Sequence, residues 1–141
     1  MMALLSGALI AGAAPIPATS PSDTLVTIRT TSSTLQFDPS AISVKQGIRL
    51  RLRLVNDGTL PHNLVLVRDE ADLDALAEAA SHAGGDYLPP QRSRLIAWTA
   101  LASPGQTVET TLTVPPPGEY PFVCFVSGHS LSMVGTLRSL R

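Results

Sequence analysis

The chain has 141 residues, of which 44% are hydrophobic and 15% are charged, and its formal net charge is −1. This length and composition fit one folded domain with a sizeable core and exclude a disordered chain. The chain has no block of basic residues, so its charge gives no indication of nucleic-acid binding. Its single cysteine, Cys124, excludes an internal disulfide and must be a buried hydrophobe, a reactive thiol or a metal ligand.

The N-terminal part divides into two segments. Residues 1–14 are apolar and rich in small residues, and they include an Ala-Gly-Ala sequence at 11–13. They resemble the apolar part and cleavage site of a secretory signal peptide, although no Lys or Arg precedes them, and they are too short for an ordinary membrane span. Residues 15–23 are rich in Pro, Ser and Thr and predict a linker. We therefore expect export, and one domain over residues 24–141.

Alternating apolar and polar residues predict strands in the first half of this domain. Strands are expected from Leu25 to Arg29, Ala41 to Lys45 and Ile48 to Leu54, with a turn at 37–39. In the third of these strands, leucines alternate with arginines, which predicts one buried face and one solvated basic face. The apolar run at 63–67 is consistent with a buried strand.

After this run the spacing of apolar residues becomes helical, and beyond it the sequence again predicts strands. Apolar residues at helical spacing predict a helix over 69–83, which Gly84 and Gly85 can end. Further strands are expected at 92–99, 106–114, 119–124 and 135–140. Seven to eight short strands with regular turn signals and one helical insertion predict an all-β sandwich.

The functional signal is a group of metal-binding side chains. Cys124, His129 and Met133 lie within ten residues and supply a thiolate, an imidazole and a thioether, while His62 offers a second imidazole. Copper(I) favours sulfur and copper(II) accepts imidazole and thiolate, so this donor set suits an electron-transfer copper site. The loop between two predicted strands can fold its three donors around one ion. His62 must be brought in by the fold, and it could anchor the site to the second sheet.

Each of these residues also has an ordinary role when it is considered alone. Cys124 could be a small buried hydrophobe, Met133 a core residue and His62 a hydrogen-bonded histidine at a strand end. Their combination and spacing favour the metal site. His82, late in the predicted helix, has no sulfur-containing neighbour in the sequence, and we expect it at the surface, where it helps the helix C-terminus.

Three competing functions have different requirements. A copper carrier or storage protein without redox shuttling usually has Met-rich or His-rich open sites, which are absent from this sequence, and it stays the alternative. A cysteine enzyme would need an accessible Cys124 thiolate beside His129 or His62. A dicopper domain needs a second loop cysteine where this chain has Ser127 and Gly128. We expect an electron carrier that is not an enzyme.

The Cys-x₄-His-x₃-Met run with an upstream His-Asn pair resembles the blue-copper cupredoxins, and the azurins in particular. The similarity extends over roughly residues 56–137 and includes the helical insertion. The resemblance implies a Greek-key sandwich with one type 1 copper ion, bound by His62, Cys124, His129 and Met133.

The resemblance also implies roles for the neighbours of these ligands. Asn63 would tie the His62 strand to the Cys124 loop, and the backbone N–H groups of Asn63 and Val126 would point at the thiolate sulfur and tune the copper. In azurins, the carbonyl before the first histidine is a distant axial group. Here that residue is Pro61, which keeps the carbonyl but fixes φ, so we expect at most a weak axial contact.

The resemblance further implies a route for the electron. The edge of His129 would be exposed within an apolar patch, for which Leu60, Pro61, Val126 and Leu131 are candidates. Such a patch would dock other redox proteins weakly and transiently. We expect a monomer in the periplasm or otherwise exported, with neither a substrate nor a nucleic-acid partner.

Overall fold

The computed structural model describes residues 23–141, so the signal-like segment at 1–14 and the linker up to residue 22 lie outside the described residues. The described part forms nine strands and one α-helix: β1 Thr24–Thr31, β2 Phe37–Asp38, β3 Ala41–Lys45, β4 Arg49–Asp57, β5 Val65–Val67, α1 Leu73–Ser81, β6 Leu95–Trp98, β7 Thr107–Thr113, β8 Gly118–Val123 and β9 Val134–Leu140. Short 3₁₀ turns lie at Glu70–Asp72, Arg92–Arg94 and His129–Leu131. Within residues 23–141, no helix is long and apolar enough to cross a membrane.

The strands form two sheets that enclose the main core. The first sheet has the order β2-β1-β4-β7 and the second has the order β3-β9-β8-β5-β6. The β1–β4 and β3–β9 pairs are parallel, and the other pairs are antiparallel. This arrangement confirms the predicted all-β sandwich with one helical insertion, which lies between β5 and β6.

The alternating sequence of β4 divides the first sheet into a buried and a charged face. Leu50, Leu52 and Leu54 are completely buried. The arginines between them lie on the other face, where Arg53 donates to Glu109 of β7 at 2.7 Å. The predicted solvated face therefore carries cross-strand ion pairs, as expected for directly opposed strand residues of opposite charge.

The central strands of the second sheet are buried on both faces. Leu66 of β5 and Phe122 of β8 point into the sandwich core. Val67 and Val123 point the other way and pack with Leu76 of α1. The continuous apolar run predicted as a buried strand thus reflects a sheet covered by a core on one side and by a helix on the other.

The helix is shorter at its N-terminal end than the apolar spacing predicts. The side chain of Asp69 accepts a hydrogen bond from the Ala71 N–H at 2.9 Å and caps a 3₁₀ turn before α1 begins at Leu73. Gly84 adopts a φ of +86°, which a helix cannot continue and which glycine tolerates without steric cost. His82 follows α1 at the exposed surface, where it contacts Glu78 at 3.0 Å.

Strand boundaries differ from those predicted in several places; residues 92–94 of the strand predicted over 92–99, for example, form a 3₁₀ turn before β6. Residues 37–38, predicted as part of a turn, form the short strand β2, because Phe37 is buried in the core and pairs with Thr30 of β1. The strand predicted over 63–67 begins only at Val65. The Leu64 N–H donates to the hydroxyl of Thr99 rather than to a strand carbonyl, so the regular ladder starts one residue later.

Candidate metal centre

The loop between β8 and β9 carries two of the three clustered donors. Cys124 directly follows β8, and its N–H donates to the Met133 carbonyl at 3.1 Å, which closes the base of the loop. His129 begins the 3₁₀ turn, and its N–H donates to the Val126 carbonyl at 2.8 Å. Gly128 precedes it with a φ of +82°, so the loop turns sharply at a residue that accepts this conformation. The loop therefore points the Cys124 and His129 side chains at one spot.

His62 lies on the connection from β4 to β5, where the chain passes from the first sheet to the second. It forms an isolated bridge with Ala102: its N–H donates to the Ala102 carbonyl at 3.0 Å and its carbonyl accepts from the Ala102 N–H at 2.7 Å. The expectation that His62 anchors the site to a second sheet needs correction. The strand after His62, β5, pairs directly with β8, which ends just before Cys124, so both donors lie beside the same sheet.

The three donor atoms form a triangle of the size that one ion requires. The Cys124 Sγ lies 3.8 Å from the His62 Nδ1 and 3.6 Å from the His129 Nδ1, and the two Nδ1 atoms are 3.2 Å apart. A point equidistant from all three lies about 2.1 Å from each, which matches a metal–nitrogen bond and is about 0.2 Å shorter than a metal–sulfur bond. One transition-metal ion therefore fits between the three side chains.

Burial sets the protonation of this group. Burial raises the pKa of the Cys124 thiol to about 11, and the backbone N–H groups of Asn63 and Val126 partly oppose this shift. Burial, and then repulsion from His129, lowers the pKa of His62 to about 4, and burial also lowers the pKa of His129. Both imidazoles are thus neutral at pH 7 and offer lone pairs. A bound cation would displace the thiol proton and pair with the thiolate.

Asn63 ties together the segments around the site. Its Oδ1 accepts a hydrogen bond from the Phe125 N–H at 2.8 Å, next to Cys124. Its Nδ2 donates to the carbonyls of Asp86 and Tyr87 at 3.1 and 3.2 Å. The residue after His62 therefore holds the residue after Cys124 and also the segment that follows α1.

The other residues singled out in the sequence are within four positions of one of these donors in the chain. Met133 is completely buried and belongs to the same core cluster as Cys124, and its N–H donates to the His129 carbonyl at 2.8 Å. Pro61 is half-buried beside His62. Leu131 is 90% exposed and Leu60 is 46% exposed, whereas Val126 is 8% exposed and contributes little surface.

Sequence reasoning missed two buried polar residues near the site, Asn56 and Thr99. The Thr99 hydroxyl accepts from the Leu64 N–H at 3.1 Å and donates to the Ala100 carbonyl at 2.8 Å. Asn56 makes four side-chain hydrogen bonds to three separate segments. An Asn-Asp-Gly sequence at 56–58 is a turn signal, but nothing in the sequence indicates that the asparagine is buried.

The donor set selects among metals. One thiolate and two neutral imidazoles suit a soft or borderline ion, and an enclosed trigonal His₂Cys group is the arrangement of copper electron-transfer sites. A copper ion bound there would supply one-electron redox chemistry. The protein would supply the fixed positions of the three donors and the exclusion of water by the surrounding core.

Comparisons with known proteins agree with this chemistry. Residues 24–138 match the copper binding proteins of the plastocyanin/azurin family. The chain is 37% identical to Auracyanin-A of Chloroflexus aurantiacus over 107 residues, which are 73% of this chain and 66% of that protein. It is 34% identical to the azurin of Pseudomonas aeruginosa over 113 residues, 73% of this chain and 76% of the azurin.

A solved structure shows the same fold. Auracyanin A, described as a "blue" copper protein from a green thermophilic photosynthetic bacterium, superposes with a TM-score of 0.80 at 33% identity, covering 84% of this chain and 100% of the solved chain. The chain spans 66% of the full length of Auracyanin-A and 50% of the length of Auracyanin-B from the same organism. The fold, the donor triangle and the match over residues 24–138 place this chain in the plastocyanin/azurin family of copper binding proteins.

Proposed function

We propose that this protein carries single electrons through one copper ion held by His62, Cys124 and His129, with Met133 as a weak axial ligand. The donor triangle, about 2.1 Å from its centre to each atom, carries this proposal. A trigonal His₂Cys group with a weak axial thioether serves both copper oxidation states, so little rearrangement is needed when an electron moves. Backbone hydrogen bonds to Ala102, Val126 and Met133 anchor the three donor residues, which supports this proposal.

The residues next to the ligands would tune the copper. The N–H groups of Asn63 and Val126, which lower the pKa of Cys124, would also draw electron density from the bound thiolate. Pro61 would offer its carbonyl as a weak axial group. The N–H groups and the carbonyl are backbone atoms. The side chains of these three residues would therefore act mainly by fixing the position of the backbone.

Burial of the site argues against the competing functions. A cysteine nucleophile must be exposed and ionised, whereas Cys124 has no exposed surface and its pKa is raised to about 11. A carrier that hands over the ion itself needs open ligands, whereas Cys124 is enclosed and His62 and His129 are 1% and 8% exposed. These observations favour a resident ion that exchanges electrons.

Adding Cu(II) to the metal-free protein tests the proposal. We expect an intense blue colour that ascorbate bleaches and air or another mild oxidant restores, together with a reversible one-electron wave in voltammetry. Cys124→Ser should bind without the blue colour, because the thiolate–copper interaction produces it. His82→Ala, a histidine change at the exposed end of α1, should behave like the unmodified protein. A colourless adduct of the unmodified protein would rule out the proposed site.

Electrons would pass through the edge of His129 to redox proteins that dock on exposed apolar residues, chiefly Leu131 and Leu60. Docking would be weak and transient, with the protein working as a monomer. Substituting Leu131→Asp should slow electron exchange with a natural partner and leave the visible spectrum unchanged, because the side chain lies outside the core. Equal exchange rates in the two proteins would remove Leu131 from the docking surface.

We also propose that the protein functions in the periplasm or another exported location. The signal-like segment at 1–14 supports this location. The chain is also 33% identical to the "Outer membrane protein H.8" of Neisseria meningitidis, over 72% of this chain and 60% of that protein. N-terminal sequencing of protein recovered from the expressing cell's envelope would test both export and cleavage.

A further inference from the structure

Asn56 is a buried amide whose hydrogen-bonding capacity is fully used. It lies near the end of β4 and has no exposed surface. Its Oδ1 accepts from the Thr30 hydroxyl at 2.9 Å and from the Gly58 N–H at 3.0 Å. Its Nδ2 donates to the carbonyls of Leu60 and Ala102 at 2.8 and 2.9 Å. Two donors and two acceptors are the usual capacity of an asparagine side chain, and here all are satisfied by the protein.

These bonds converge on the two connections that pass between the sheets beside the site. Leu60 lies on the β4–β5 connection, two residues before His62, and Ala102 lies on the β6–β7 connection. The Ala102 carbonyl that accepts from Asn56 also accepts from the His62 N–H at 3.0 Å, and the Ala102 N–H returns a bond to His62. The Asn56 amide is therefore one shared carbonyl away from the main chain of a metal-binding residue.

The Asn56 amide anchors the start of the β4–β5 connection, ahead of the bridge between His62 and Ala102. Pro61 has no N–H, so it cannot anchor the segment by donating a hydrogen bond. Gly58 leaves room for the asparagine: a Cβ on Gly58 would lie 3.2 Å from the Asn56 Oδ1 and 3.3 Å from the Thr31 carbonyl oxygen. The Asn56 side chain thus occupies the inside of the turn that leads to His62.

We propose that Asn56 is a positioning residue for the metal centre, which fixes the main chain of Pro61 and His62 against the loop carrying Cys124 and His129. The proposal rests on the proposed copper function. Loss of the amide would release the carbonyls of Leu60 and Ala102 together, and the bridge between Ala102 and His62 would lose one side of its support. Because a site that serves two oxidation states depends on fixed donors, the loss should change the site and not only the stability of the fold.

The test compares Asn56→Ser with Ser139→Ala. Ser139 is buried and donates to the Pro115 carbonyl, and it lies opposite Gly118 at the far end of β8 from Cys124. Both variants should unfold at a lower urea concentration. Only Asn56→Ser should shift the visible and electron paramagnetic resonance spectra of the copper form, and it should weaken Cu(II) binding by about tenfold or more.

A readout from the metal-free protein separates this proposal from the copper function. The imidazole ¹H and ¹⁵N chemical shifts of His62 should move in Asn56→Ser and stay in place in Ser139→Ala. If the unmodified protein never turns blue, the copper function fails, while the His62 chemical shifts still test the positioning role. Unchanged His62 shifts, or an unchanged spectrum and copper affinity in a destabilised but blue Asn56→Ser protein, would overturn the proposal.

Thr30→Val provides a milder variant in case Asn56→Ser does not fold. It removes the hydroxyl that donates to the Asn56 Oδ1 and keeps the bonds to Gly58, Leu60 and Ala102, so the amide is held by three hydrogen bonds instead of four. We expect the His62 chemical shifts and the copper spectrum to change less than in Asn56→Ser. If Asn56→Ser folds, the changes in the two variants should have the same direction. A Thr30→Val protein with the unmodified values in both readouts would also contradict the positioning role.

Discussion

Met133 differs from the other candidate ligands because its thioether is a weak donor. A substitution can replace this side chain by a hydrocarbon of similar size. The side chain is completely buried and packs in the core cluster that contains Cys124. Leu and Met have similar volumes, and exchanges between them in cores usually cost less than about 1.5 kcal/mol. Position 133 therefore allows the axial donor to be removed while the fold is kept.

We expect Met133→Leu to stay blue and to have a higher reduction potential than the unmodified protein. Removing a sulfur donor withdraws electron density from copper, and this destabilises the oxidised ion more than the reduced one. Voltammetry of the copper form gives the potential, and the visible band gives the state of the thiolate bond. An unchanged potential would show that Met133 is a core residue without an axial role.

The candidate ligands could be proposed from the sequence, whereas the residues that place them could not. Cys124, His129 and Met133 share one loop, so their spacing is a local signal. His62 needed only a His-Asn pair beside an apolar run. Asn56 bonds not only to the nearby Gly58 and Leu60 but also to Thr30 and Ala102, which are 26 and 46 positions away, and such long-range pairing leaves no pattern in the neighbouring residues.

At the scale of elements, the sheet that carries Cys124 is held together by a close approach of β9 to its neighbours. A Cβ on Gly135 would lie 2.2 Å from the Phe122 ring of β8 and 2.6 Å from the Ser40 carbonyl oxygen beside β3. The Phe122 ring is itself fixed in the core, where it packs against Phe37 with ring centroids 5.4 Å apart. Neither contact can be relieved by a flexible side chain.

Gly135→Ala should therefore destabilise the metal-free protein by about 1–3 kcal/mol, the range for overpacked cores. Urea unfolding followed by circular dichroism measures the change. The control is Gly85→Ala, where an added Cβ meets no atom within 4 Å and the backbone φ is not left-handed. Equal midpoints for the two variants would mean that β9 moves away from β8 at little energetic cost.

Element types were predictable and element ends were less so, for physical reasons visible in particular residues. The Leu–Arg alternation of β4 identified its buried face, because a strand places successive side chains on opposite sides. The two-residue strand β2 is too short to show a period. The start of β5 depends on the hydroxyl of Thr99, which is 35 positions away from Leu64.

At the scale of the whole molecule, charge is distributed unevenly despite a net charge of −1. The segment 69–86 contains six acidic residues and no Lys or Arg, which leaves five acidic and ten basic residues in the rest of the chain. Asp74 and Glu78 of α1 line a groove of about 270 Å³ against the ligand loop, together with Leu131. The apolar residue proposed for docking is thus bordered by negative charge, which would favour cationic redox partners.

Charged inorganic probes can measure this bias. Electron exchange with cationic ruthenium hexaammine should slow about threefold or more at low ionic strength in Asp74→Asn/Glu78→Gln, whereas exchange with anionic iron hexacyanide should become faster. Asp23→Asn/Glu119→Gln changes the net charge equally, but Asp23 precedes β1 and Glu119 lies at the start of β8, remote from Cys124. Equal effects of the two double variants on both probes would assign the bias to net charge alone.

The donor triangle joins residues that are 62 and 67 positions apart in the chain. It can close only after β5 lies beside β8 and the β4–β5 connection has passed from one sheet to the other. The colour of a copper–thiolate bond at Cys124 would therefore report the native topology of each molecule, in a wavelength range where the rest of the polypeptide does not absorb. The rate at which that band disappears during unfolding would measure how fast the sandwich opens at the copper site, without an added label.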